Sequence, residues 1–304
     1  MRKKRISNKI KMSTGEWIFQ GFNYILMLVL IFITIYPFLY VLYGSFSDPV
    51  ELGKVSGILL HPAGFTLRGY KQVLKTANIW IGFRNTIFYV VAGTAFSMII
   101  TILGAYALSL KGYLLKKPII FFVIFTMFFN GGMIPTFLVV QKLGVTNSPL
   151  AMILPGALSV WNLIVLRTSF ETVPVSLIES AKLDGAGQFK ILLKIVLPLS
   201  KAALATIVLF YAVSKWGEWY NALVYLQGKR NLYPLQMFLR EILVQENAME
   251  TSFQNNLKTE ADAYLLKQVI SYATIVVATV PVLAVYPFVQ RYFVKGVLIG
   301  AVKE

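Results

Sequence analysis

Residues Glu171 to Lys201 read ETVPVSLIESAKLDGAGQFKILLKIVLPLSK, a polar interruption between two long apolar segments. Pro174 suits a first helical turn, and Leu177, Ile178 and Ala181 form one apolar stripe, so a short helix is expected here. Asp184-Gly185 supplies its stop, with glycine at the left-handed cap. A second helix is expected to run to Leu197-Pro198, with Leu192, Leu193 and Val196 on one side. At about 100° per residue, Lys190, Lys194 and Lys201 fall within about 40° of one another. That pattern describes an amphipathic helix at a membrane surface.

The flanking sequence sets the fold class. Of 304 residues, 57% are hydrophobic and only 14% charged, and the apolar residues come in runs of about 20, long enough to cross hydrocarbon. The chain reads as an all-α membrane protein with six transmembrane helices, at about 24–46, 81–110, 118–140, 149–170, 203–226 and 269–293. Residues 1–23 form a basic N-terminus, 172–201 the central polar region, 227–267 an external loop and 294–304 a tail. The run from Tyr24 to Phe46 is too long for a signal h-region and lacks a small-x-small cleavage site, so it is expected to stay as the first span. Lysine and arginine number 17 in or at the edge of the segments placed inside, with Arg167 and Arg291 counted there from the ends of their spans, and 10 in those placed outside, which puts both termini in the cytoplasm. The net charge of +16 fits this sorting and contact with anionic membrane lipid. No basic stripe with interleaved aromatics argues for nucleic acid.

Enzymatic chemistry finds little support. The chain has no cysteine, so disulfides and thiolate metal sites are excluded, and its one histidine, His61, lies in a loop. There is no H-E-x-x-H, no G-x-S-x-G and no Walker A sequence. No cofactor or metal is expected on this chain. The most suggestive polar cluster within the spans is Lys215, Trp216, Glu218, Trp219, Tyr220 and Asn221. Ionisable groups in a span are costly and usually face an interior cavity, so Lys215 and Glu218, three residues apart, are expected to pair or to line a pathway. Aromatic rings beside hydrogen-bonding groups suit sugars. The same rings equally suit an interfacial aromatic belt with a structural Lys-Glu pair. Asn162, Arg167 and Asn130, the last before Gly131-Gly132, suit either pathway or packing and capping roles.

Glu179-Ser180-Ala181, then Asp184-Gly185-Ala186, then Ile195, Leu197 and Pro198 resemble the EAA signature of bacterial ABC importer permeases. Ser180 replaces the middle alanine, and Ala202 stands where many members carry a further proline. The resemblance implies a type I importer transmembrane domain in which Glu179 to Ala186 form a cytoplasmic coupling helix docked on an ATPase. It implies two ATPase subunits, which would hold the ATP and magnesium, a second homologous permease, and an extracellular lipid-anchored solute-binding protein. Phe128 to Val140, Tyr233 to Arg240 and the ending QRYFVKGVLIGAVKE resemble more narrowly the carbohydrate-uptake, maltose-type branch, particularly Gram-positive permeases for oligosaccharides. In that branch the last external loop reaches the binding protein and the tail contacts the ATPases. The resemblance leaves open a non-sugar solute, or a structural subunit that makes no substrate contacts.

Overall fold

The computed structural model describes residues 13–112, 114–244 and 260–301. Most of the basic N-terminus, residues 245–259 of the external loop and the last residues of the tail lie outside them. No strand occurs among the described residues. They belong to two compact units, one built from Met1–Tyr70 with Lys258–Val276 and the other from Lys71–Leu257 with Val277–Glu304.

In the first unit, α1 spans Thr14–Ser45. It starts well before the apolar run because Ser13 and Glu16 form a capping box, with Glu16 N–H on Ser13 Oγ at 3.3 Å and Ser13 N–H on Glu16 Oε2 at 2.6 Å. Past α1, Asp48 accepts from Val50 and Glu51 to cap α2, Pro49–Lys54. The unit's core holds Leu52, Leu59 and Val269 beside Tyr40, Tyr43 and Tyr272. Gly44 lies against the Tyr272 ring, where a Cβ would come within 2.6 Å.

After α3, Arg68–Lys75, the second unit is organised around α4, Ala77–Ser109. At 1.5 Å per residue α4 is about 50 Å long, well over the ~30 Å hydrocarbon thickness. Among the described residues, three helical stretches are long and apolar enough to cross a membrane: Thr14–Ser45, Ala77–Ser109 and Tyr264–Ala284 within the last helix.

Three stretches expected as single spans are interrupted, each at glycine. Residues 118–140 form α5, Lys116–Phe128, and α6, Met133–Lys142, which meet at 115°. Between them Asn130 Oδ1 accepts from Gly132 N–H at 2.9 Å and Gly132 takes φ +91°. Residues 149–170 form α7, Leu150–Ile153, and α8, Val160–Glu171, separated by a turn through Pro155-Gly156. The central region gives α9, Val175–Leu183, then α10, Gln188–Ile191, a π-helical turn over Leu192–Val196 and α11, Leu197–Leu199. The segment Gln188–Leu199 meets α12, Lys201–Trp216, at 86°. After Gly217 comes α13, Tyr220–Tyr225.

The described first part of the expected external loop, residues 227–244, is partly helical. It carries α14, Leu235–Val244, packed on the first turns of α4. Asn85 donates to the carbonyls of Asn231 and Tyr233, Tyr89 to that of Leu232, and Thr86 Oγ1 accepts from Leu235 N–H. The last helix, α15, runs Glu260–Ala301 and so continues helically into residues expected as tail. One apolar core joins Met98, Ala105, Leu163, Leu166, Ile191 and Ile207. A second joins Tyr89, Met152, Ala222, Tyr225 and Phe238.

Candidate functional site

The central region folds as the sequence pattern demands, with a capped stop at its middle. Gly185 N–H donates to Lys182 O at 3.0 Å and Ala186 N–H to Ala181 O at 2.9 Å, while Gly185 takes φ +76°. These two bonds are a Schellman motif, which satisfies carbonyls that the helix end would leave bare. Ala181 and Ala186 both pack against the buried core, and small side chains there let the turn lie close to it. Glu179, Ser180, Asp184 and Gly185 are exposed, and Leu183 at the helix tip is 90% exposed.

Two details of the expected helices differ. Pro174 is the N-cap of α9, with an extended ψ of 126°, and Leu177 is exposed while Ile178 and Ala181 carry the packing. In the second helix Leu192 and Val196 are buried but Leu193 is 60% exposed, because the π turn rotates the side chains out of an ideal 100° register.

Beside α9 lies a cavity of about 330 Å³ whose lining includes Tyr106, Lys116, Glu171, Ile178, Glu179 and Lys182. Glu171 accepts from Lys116 Nζ at 3.1 Å and Arg167 Nη2 at 2.8 Å. The same two cations donate to carbonyls at the end of α4, Arg167 to Leu108 and Lys116 to the C-cap Leu110. Arg167 is thus a cap. Partial burial works against the Glu171 charge, but the hydrogen bonds from Lys116 and Arg167 outweigh it and hold the carboxyl below its usual range.

A second cavity, about 380 Å³, opens where the broken helices meet. Asn130, Glu218, Tyr220 and Asn221 line it, together with Lys215 and Thr136. Lys215 is 5% exposed and donates to Met152 O at 2.7 Å and Glu218 Oε2 at 3.0 Å. Asn221 donates to the other Glu218 oxygen. The turn after α7 places Met152 O where the lysine reaches it, so this side chain ties α12 to the interruption of α7 and α8. Its stem passes Gly93 of α4, where a Cβ would stand 3.2 Å from Lys215 Cε.

Trp216, Trp219 and Asn162 do not line this cavity. Trp216 stands about 200° round α12 from Ser214 and so points to the other side of the helix, donating to Ala278 O at 3.2 Å and meeting the Phe83 ring edge-on. Trp219 follows the break at Gly217 and lies under the Arg240 guanidinium, 5.0 Å from its ring centroid. Asn162 is buried in α8, its N–H held by the Ser159 cap. Tyr211, Ser214, Pro155 and Gly156 also line the cavity, and none of them belongs to the polar cluster expected from sequence. Tyr211, Ser214, Lys215 and Glu218 stand at i, i+3, i+4 and i+7, so a helical stripe was there to find.

Residues 114–299 match the model of a family described as binding-protein-dependent transport system inner membrane component. The chain belongs to that family. It is a permease subunit of an ABC transporter, a transport component and not a catalytic one. It is 42% identical over 282 residues to the polygalacturonan/rhamnogalacturonan transport system permease protein YtcP of Bacillus subtilis strain 168, covering 93% of this chain and 96% of the relative. It is also 42% identical to protein LplC of the same organism, covering 89% and 90%. A solved chain from a bacterial ABC transporter involved in the import of the acidic polysaccharide alginate superposes with a TM-score of 0.83 at 33% identity, covering 93% of this chain and 99% of that one.

Proposed function

We propose that this permease forms one half of a six-plus-six-span importer that carries oligosaccharides into a bacterial cell, with both termini cytoplasmic. An extracellular lipid-anchored binding protein delivers the sugar. A second, homologous permease completes the path, and two ATPases, which bind the ATP and magnesium, dock on Glu179 to Ala186 and on its counterpart. Closure of the ATPases must favour one arrangement of the bundle over another, and α9 with its Schellman turn is the joint through which that difference passes.

The observation that carries the sugar assignment is the cavity at Lys215 and Glu218. Its volume falls in the about 300–1,000 Å³ range of small-molecule sites. Tyr220 and Tyr225 offer ring faces, and Asn130, Thr136, Ser214, Glu218 and Asn221 offer hydrogen-bonding groups, the combination that C–H faces and hydroxyls of a sugar require. Trp216 and Trp219 serve packing in this scheme. The names of YtcP and of the alginate importer point the same way, toward polysaccharides.

The test is ATP hydrolysis by the reconstituted complex, with and without loaded binding protein, across oligogalacturonides, neutral oligosaccharides and non-sugar solutes. Stimulation by one saccharide class names the substrate. Uniform rates across the panel would sink the sugar assignment.

A further inference from the structure

Between Gly185 and Gly217 the chain carries four lysines and no acidic residue. Lys215 is buried against Glu218. Lys190, Lys194 and Lys201 are exposed, and no ion pair engages them among the described residues. The same segment exposes Phe189, Leu193 and Leu199, while Ile191, Leu192 and Val196 hold it to the core. It therefore has one face fixed to the protein and, away from it, large apolar groups beside uncompensated cations.

Orientation says what covers that surface. The axis of Gln188–Leu199 turns by 86° into α12 at Ser200. With α12 crossing the bilayer, a helix at that angle lies along the membrane surface, and Lys201 stands at the corner. Phenyl and leucyl groups there reach the acyl boundary while lysines extend to headgroup phosphates. Three exposed cations without an ion pair, in a stretch that holds no acid, complement an anionic leaflet.

We propose that Gln188 to Lys201 is a binding element for anionic phospholipid. Gly187, the N-cap of α10, directly follows the turn that ends α9. Lipid held on α10 and α11 therefore fixes the angle at which α9 is presented to an ATPase, which makes coupling dependent on the leaflet's charge. The proposal rests on the assignment of α12 as a span and of α9 as the docking helix.

The complete complex in nanodiscs of phosphatidylcholine, or of phosphatidylcholine and phosphatidylglycerol in equal parts, provides the test. In a Phe189→Trp variant, brominated phosphatidylglycerol should quench the added fluorescence more strongly than brominated phosphatidylcholine. In K190Q/K194Q/K201Q on that background the preference should vanish. Each lysine near an anionic surface contributes about fivefold, so removing three should weaken the preference on the order of 100-fold. Binding-protein-stimulated ATP hydrolysis should fall severalfold in phosphatidylcholine alone, with K190R/K194R/K201R keeping the wild-type lipid response. Equal quenching by both lipids would overturn the proposal, as would an unchanged lipid response in the glutamine variant. Loss of the ATPases from that variant in detergent would reveal a protein contact on this face and overturn it too. Absence of stimulation in every lipid would strike the transport assignment instead, and the quenching, which needs no turnover, decides the lipid element by itself.

Discussion

The N–H of Ala186 donates to the carbonyl of Ala181 at 2.9 Å, closing α9 around a left-handed Gly185. The bond explains why the two alanines and the glycine keep this spacing. Alanine at each end permits close approach to the core, and glycine between them reverses the chain without strain.

Replacing Gly185 therefore tests coupling without disturbing a neighbour, since a Cβ there would meet nothing within 4 Å. Gly185→Ala forces an L side chain into the left-handed region at about 1–2 kcal/mol. We expect stimulated ATP hydrolysis to fall while the complex still assembles, and Gly185→Asn to keep most of it. Full stimulation in Gly185→Ala would remove the turn from the coupling path.

Lys215 and Glu218 test whether the cavity wall is one unit. Lys215→Met leaves a partly buried carboxylate without its cation and Met152 O without its donor, a loss toward the low end of the about 3–5 kcal/mol of a fully buried pair. Adding Glu218→Gln removes the stranded charge, so the double variant should be more stable than the single. Thermal unfolding of the purified complex reads this, and a double variant less stable than Lys215→Met would show that the two charges act separately.

The docking of α14 on α4 hangs on two small residues. A Cβ at Gly82 would stand 2.9 Å from Leu235 Cα, so Gly82→Ala must push α14 away. Thr86→Val strips the acceptor from Leu235 N–H, at about 1–3 kcal/mol for a buried donor. Both should raise hydrogen exchange in residues 235–244, and Thr86→Ser should not.

Glu171 sets an acid limit at the end of α8. Its folded-state carboxyl titrates below its unfolded value, so its contribution is complete above the unfolded pKa, about 4.3, and is lost as pH falls through the lower folded pKa. Glu171→Gln should flatten the fall in melting temperature below about pH 4 and leave the shape near neutrality unchanged. An unchanged acid limb would mean that the Lys116 and Arg167 contacts carry no net stabilisation.

Much of the site was legible in local pattern. Asp184-Gly185 announced a helix stop because only glycine occupies that backbone region freely, and the structure has the stop there. The Lys215–Glu218 pair followed from helical spacing and the cost of charge in a span. What escaped were contacts made across chain breaks. Trp216 and Trp219 read as one cluster with Glu218 along the string of residues, yet the helix period sends Trp216 away and the turn at Gly217 redirects Trp219. The carbonyl of Met152, Lys215's other partner, carries no side-chain signature at all.

By itself the sequence determined the helical class, the apolar stretches and the capped interruption at Asp184-Gly185, because hydrophobic period and glycine conformation act within a few residues. Only the tertiary structure decided that 118–140, 149–170 and 203–226 break, that α14 seats on Asn85, Thr86 and Tyr89, and that Asn130, Lys215 and Asn221 share a cavity. Those outcomes depend on how backbone groups left outside regular helix find partners far along the chain, as the Tyr233 carbonyl does in the Asn85 side chain and the Met152 carbonyl in Lys215, and such pairing is set by packing in three dimensions and not by neighbours in the chain.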